Sequence, residues 1–106
     1  MQTFNLKTDI SEDGKGKKIR MIFSGYLTLQ NAAEIKAILQ PINGEFANLE
    51  LWARDVSGID VSFLQILESY RKTHEADGKK VKILMDLPYD LKTLLANAGI
   101  AYPIKQ

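Results

Sequence analysis

Asp60 and Ser62 stand two positions apart, where a buried strand runs through Val56-Ser57-Gly58-Ile59, read as a loop, into a segment of helical spacing. An aspartate at that point caps a helix: its carboxylate accepts backbone N–H bonds and complements the positive end of the helix dipole. A hydroxyl two residues later falls in the first turn, on the polar face, beside N–H groups that the helix itself leaves unpaired. That placement tolerates a phosphate on Ser62. Residue types alone favour a simpler account, a cap followed by an ordinary first-turn serine. Other chemistry is sparse. His74 is the single histidine and lies on the apolar side of the same helix near its C-terminal end, where a packed residue favoured by the dipole is expected. Gly14-Lys15-Gly16-Lys17 lacks the spacing of a phosphate-cradling loop, and no G-x-S-x-G motif occurs. Asp13, Asp55, Asp77, Asp86 and Asp90 are scattered with no paired pattern. The chain has no cysteine, which removes thiolate zinc sites, disulfides and cysteine nucleophiles. No metal or cofactor is expected, and catalysis is the least supported reading.

Composition narrows the partners. At 106 residues the chain is read as one domain, residues 1–106, because halving it would leave neither part a core. An apolar fraction of 45% and a charged fraction of 25% are those of a globular protein. The formal net charge of +1 supplies no long-range field for nucleic acid or an acidic membrane. Lys15, Lys17, Lys18 and Arg20 cluster near one turn and Lys79, Lys80 and Lys82 near another, which reads as solvated loop and strand-edge charge. Met1 to Ile10 has no basic-then-apolar order, and no apolar run approaches the ~20 residues of a membrane span. A cytoplasmic protein without membrane insertion is expected.

The positioning elements follow from periodicity. Met1 to Ile10 alternates weakly and reads as a first strand, Ser11 to Gly16 as a turn, and Lys18 to Ser24 as a second strand through Ile19, Met21 and Phe23, with Gly25 as its end. Thr28 or Asn31 caps a helix, Asn31 and Glu34 having capping-box spacing. Ala32, Ile35, Ile38, Leu39 and Ile42 form its apolar face, and Pro41 and Gly44 close it. A strand follows through Phe46, Leu49, Leu51 and Ala53. The second helix, from Asp60 to Gly78, turns Phe63, Leu64, Leu67 and Tyr70 inward and Ser62, Gln65, Ser69 and Lys72 outward. Val81 to Met85 reads as a strand. Pro88 opens a third helix with Leu91, Leu94, Leu95 and Ala98 inward and Gly99 as its stop; the tail to Gln106 would add an edge strand at most. The fold class is α/β, in the order β-β-α-β-α-β-α, with a mixed sheet because the opening hairpin is antiparallel and the crossovers are parallel.

From Lys18 to Ile100 the chain resembles a STAS domain, the fold of bacterial anti-sigma-factor antagonists and sulfate-transporter tails. The resemblance rests on Phe23-Ser24-Gly25-Tyr26-Leu27-Thr28, on Leu49-Glu50-Leu51 followed by Val56, Ile59 and Asp60, on Gly78-Lys79-Lys80-Val81, and on Leu94-Leu95 with Ala98-Gly99-Ile100. In antagonist members the second helix opens Asp, Ser, Ser or Thr, Gly, and the second hydroxyl accepts phosphate. The resemblance places that acceptor at Ser62. This chain differs from the pattern at Val61, at Phe63, and at Trp52, where many members have aspartate.

The resemblance implies a protein-binding regulator whose partner is an anti-sigma factor that is also a serine kinase. Asp60, Val61, Ser62, Gln65, Trp52 and Asp55 are the candidate partner-binding residues. The rival reading is a constitutive scaffold, a STAS subunit docked on a transporter subunit of a lipid-trafficking complex. A third is a domain binding a nucleotide or small ligand at the loop before Asp60.

Overall fold

The computed structural model describes residues 2–14, 16–39 and 46–97. Strands β1 (Phe4–Asp13), β2 (Gly16–Leu27), β3 (Phe46–Ile59) and β4 (Lys80–Met85) form one sheet in the order β1-β2-β3-β4. Helices α1 (Leu29–Leu39), α2 (Val61–Ala76) and α3 (Tyr89–Asn97) alternate with the last strands, giving the β-β-α-β-α-β-α order that periodicity predicts. β1 and β2 are antiparallel; β2 with β3 and β3 with β4 are parallel. The two crossovers advance the sheet in the same direction, and right-handed connections then place α1 and α2 on one face.

The buried side chains agree. Ile19, Met21 and Phe23 of β2 alternate inward with Leu49, Leu51 and Ala53 of β3 and with Ile83 and Met85 of β4. Ile35 and Leu39 of α1 and Phe63, Leu64, Leu67 and Tyr70 of α2 close over them. Phe23 and Phe63 meet edge to face, with ring centroids 5.7 Å apart and planes at 70°. Such an arrangement sets the positive rim of one ring against the negative face of the other. Phe63, where the antagonist pattern has glycine, is thus a core residue that fastens the first turn of α2 to the middle of β2.

Local readings differ from the structure at several points. The first hairpin is tighter than the Ser11–Gly16 turn: β1 continues past Ile10, and Asp13 pairs with Gly16. Gly25 does not end β2, which runs on to Leu27 through register shifts on both sides of that glycine. Its φ is +86°, and a Cβ there would stand 2.7 Å from the Thr3 carbonyl oxygen, so glycine is what lets β1 approach a kinked β2. Asn31 is no cap. It is buried in the first turn of α1, and its Nδ2 donates to the Tyr26 carbonyl at 2.8 Å. Leu94 is exposed rather than inward, whereas Leu91 packs against the core. The readings on Pro41, Ile42, Gly44, Ala98, Gly99 and the tail, and the side chain of Leu95, lie outside the described residues.

Gly25→Ala forces both the positive φ and the contact with Thr3. It is expected to cost more than ~1 kcal/mol in a urea melt, against a few tenths for an ordinary surface substitution.

Candidate partner-binding site

Parallel β2 and β3 end side by side, with Leu27 paired to Ile59, so the chain leaves the sheet at two adjacent points and starts a helix from each. Both helix starts converge on Asp60. Its backbone is extended (φ −142°, ψ −179°), as at an N-cap, and Oδ1 accepts from the Ser62 backbone N–H at 3.0 Å. Oδ2 accepts from the Leu29 N–H, the first residue of α1, at 2.8 Å. The Asp60 N–H donates back to the Leu27 carbonyl at 3.3 Å. One carboxylate therefore neutralises the positive ends of two helix dipoles and ties both to the end of β2. Thr28, the residue before α1, plays no such part through its side chain: Thr28 Oγ1 is buried without a hydrogen-bond partner, and its carbonyl accepts from Asn31 N.

Around that carboxylate the surface is apolar at its rim. Leu29 is 70% exposed and Val61 53% exposed, each on the first turn of its helix. Ser62 is half-buried and Gln65 exposed, one turn further along α2. Both line a groove of about 600 Å³ between α1 and α2, with Lys36 on the α1 wall and His74 at the far end of the α2 wall. His74 is buried and lies against Tyr70, with ring centroids 4.2 Å apart and planes tilted by 53°, and its Nδ1 is unpartnered. Burial, aided by Lys79 and opposed by Asp77, holds its pKa below the ordinary 6.5, so the imidazole is neutral at pH 7. Burial also pushes the Tyr70 hydroxyl up to about 12. Among the described residues no cluster of three or more His, Asp or Glu could hold a metal ion.

Trp52 and Asp55 lie elsewhere. Trp52 alternates out of phase with buried Leu51 and Ala53, and so faces the side of the sheet away from the helices. Arg20 and Arg54 both approach its ring, with guanidinium carbons 5.0 and 5.2 Å from the centroid. Its Nε1 donates to Glu50 Oε1 at 3.0 Å, which also accepts from Arg20 Nε at 3.0 Å; Lys18 bonds the other oxygen. Burial alone would raise the Glu50 pKa, but the hydrogen bonds from Lys18, Trp52 and Arg20 outweigh it and bring the value from 4.5 to about 2. Asp55 is exposed at φ +51°, among Lys7, Ser24 and Arg54 rather than beside Ser62. Asp60, Val61, Ser62 and Gln65 thus form one constellation. The residues missed from sequence are Leu29, whose N–H shares the Asp60 carboxylate, and Lys36; no local signal links either to a position so far downstream.

The mixed sheet with a paired helix start defines a STAS fold. Solved structures that share it include the Bacillus cell fate determinant SpoIIAA in its phosphorylated form and the anti-sigma factor antagonist SpoIIAA in its unphosphorylated form. The first gives a TM-score of 0.61 at 12% identity, over 93% of this chain and 89% of that one. The second gives 0.57 at 12% identity, over 94% of this chain and 88% of that one. The sequence itself matches no family model and no curated protein. Among the described residues no helix is long and apolar enough to cross a membrane.

Asp60→Ala removes two caps at once and is expected to cost about 2 kcal/mol in urea melts, twice the ~1 kcal/mol of a single cap. Asp60→Asn keeps one acceptor oxygen and should fall between. On the other face, the Glu50 carboxyl is depressed on folding, so its contribution is present above pH 4.5 and lost as pH falls toward about 2. Urea midpoints of wild type should decline across that window, and those of Glu50→Gln should decline less.

Proposed function

We propose that this chain is a cytoplasmic protein-binding regulator of the anti-sigma-factor-antagonist kind, docking through the first turns of α1 and α2 and switched by phosphate on Ser62. The observation that carries this reading is the position of Ser62, two residues after the carboxylate that caps both helices and at the mouth of the inter-helix groove. The fold shared with SpoIIAA, whose solved forms include a phosphorylated one, supports it.

The physics of the switch is local. A phosphate adds about −1.5 to −2 charges beside a carboxylate that already occupies the helix N-termini. Like-charge repulsion then bears on the Asp60 caps, and the exposed Leu29 and Val61 side chains acquire a charged neighbour that must be desolvated when a partner packs on them. Lys36 across the groove offers a counter-charge that draws the phosphate toward α1. The unmodified surface binds; the modified one repels an apolar or acidic partner, with no large rearrangement of the fold. The partner in this reading is an anti-sigma factor with serine kinase activity. The exposed apolar pair also suits constitutive docking to a transporter subunit, and the same experiment separates the two.

Ser62→Ala should fold like wild type and keep its partner, whereas Ser62→Asp should lose at least about tenfold in affinity, ~1.4 kcal/mol. Intact-mass measurement after incubation with the captured partner and ATP should show one phosphate on wild type and none on Ser62→Ala. A phosphate on another residue, or equal binding by both variants with no mass gain, would favour the constitutive scaffold.

A further inference from the structure

β1 is the outer strand of the sheet, paired on one side to β2, and among the described residues no element pairs with its other side. The Tyr26 N–H donates to the Thr3 carbonyl at 2.9 Å, in the same antiparallel register that sets Phe4 opposite Gly25. Bonded and non-bonded positions alternate along such a ladder. With Thr3 bonded, Asn5, Lys7, Asp9 and Ser11 turn their backbone groups toward β2, and Phe4, Leu6, Thr8 and Ile10 turn theirs outward. Two common protections of an edge are missing: there is no proline in β1 and no register shift in its pairing with β2; of the charges it does carry, Lys7 and Asp9 are of opposite sign. Ile10 is 62% exposed.

We propose that β1 pairs antiparallel with β1 of a second copy, about a two-fold axis through Thr8, so that two four-stranded sheets join into one. The strand is self-complementary in that register. Thr8 opposes its own copy, Leu6 opposes the partner's Ile10, and Phe4 opposes the partner's Glu12; these are the outward-bonding positions, so each forms a bonded pair. Lys7 opposes the partner's Asp9 twice over, in the non-bonded pairs where side chains lie closest. An axis at Lys7 or Asp9 would instead set like charges directly opposite one another, and an axis at Leu6 would set Lys7 against asparagine. Neither Lys7 nor Asp9 has an ion-pair partner among the described residues, and Arg20, across β2 from Asp9, is engaged by Glu50. Leu6, Thr8 and Ile10 lie opposite Phe23, Met21 and Ile19, on the helix-covered face. The join therefore carries the apolar face across the seam and covers Ile10 with the partner's Leu6. A two-fold contact of this kind is closed, since each copy uses its one free edge on β1. Asp60 and Ser62 lie outside the seam, so this assembly stands independently of the switch.

The absence of cysteine makes the test direct. In this register the two Thr8 Cα atoms are about 5.5 Å apart, within disulfide range. The two Asn5 Cα atoms are about 20 Å apart, six positions at ~3.4 Å each. Under mild oxidation Thr8→Cys should form a covalent dimer at least about tenfold faster than the Asn5→Cys control, a position that is also exposed. Sedimentation should show a wild-type dimer, about tenfold weaker association for Lys7→Asp, and recovery in the Lys7→Asp/Asp9→Lys double variant, with melting curves confirming folded chains. A wild-type chain that stays monomeric into the millimolar range, equal cross-linking at positions 5 and 8, or no recovery by the charge swap would overturn the proposal.

Discussion

The Asp60 carboxylate is the point through which the helical layer is joined to the sheet. Two helices begin at neighbouring strand ends, and their positive dipole ends would repel each other at that distance without a negative group between them. One side chain accepts from both. The consequence reaches beyond capping. α1 is not capped by its own neighbour Thr28, whose Oγ1 has no hydrogen-bond partner. Its start is completed only when a residue 31 positions downstream is in place. α1 is therefore conditional on β3, while the β1–β2 hairpin, built from near neighbours, is not. Folding is expected to run from that hairpin toward the helical face.

The same carboxylate gives the surface above it its character. Groups that bind a partner are normally presented by loops on a rigid scaffold; the groups proposed for that role here sit on first helical turns whose backbone is held by Asp60 below and by Phe63 in the core. Leu29 and Val61 are exposed because their helices start there, not because the core failed to reach them. A charge placed on Ser62 acts on a pre-set apolar rim rather than on a mobile segment. That is why a purely electrostatic switch suffices in the proposed mechanism.

Periodicity carried the architecture. Ile19, Met21 and Phe23 alternate as a strand must, and Phe63, Leu64, Leu67 and Tyr70 recur as one face of a helix must, so element order and core were legible. The capping role of Asp60 on α2 was legible too, because it is local. Its role on α1 was not, since Leu29 is linked to it only through the parallel register of β2 and β3. Gly25 read as a stop because glycine commonly is one; its work here is to admit a neighbouring strand. Asn31 had capping-box spacing, but the Tyr26 carbonyl competes for its side chain. Arg20 reaches Trp52 from the neighbouring strand, which no spacing along β3 encodes, whereas Glu50 shares its face by alternation two residues earlier on the same strand.

The chain's only tryptophan lies on the sheet face opposite the helix starts, within about 5 Å of two guanidinium groups and bonded to a buried carboxylate. Its indole is thus an optical probe already in place, and one with a defined field of view. Its emission reports whether the strands hold their register and whether the Glu50 cluster is intact. It is screened from events at Ser62 by the whole thickness of the sheet and core. A change in emission on adding a partner would locate that partner on the open face, and an unchanged emission accompanying tight binding would locate it among the helices.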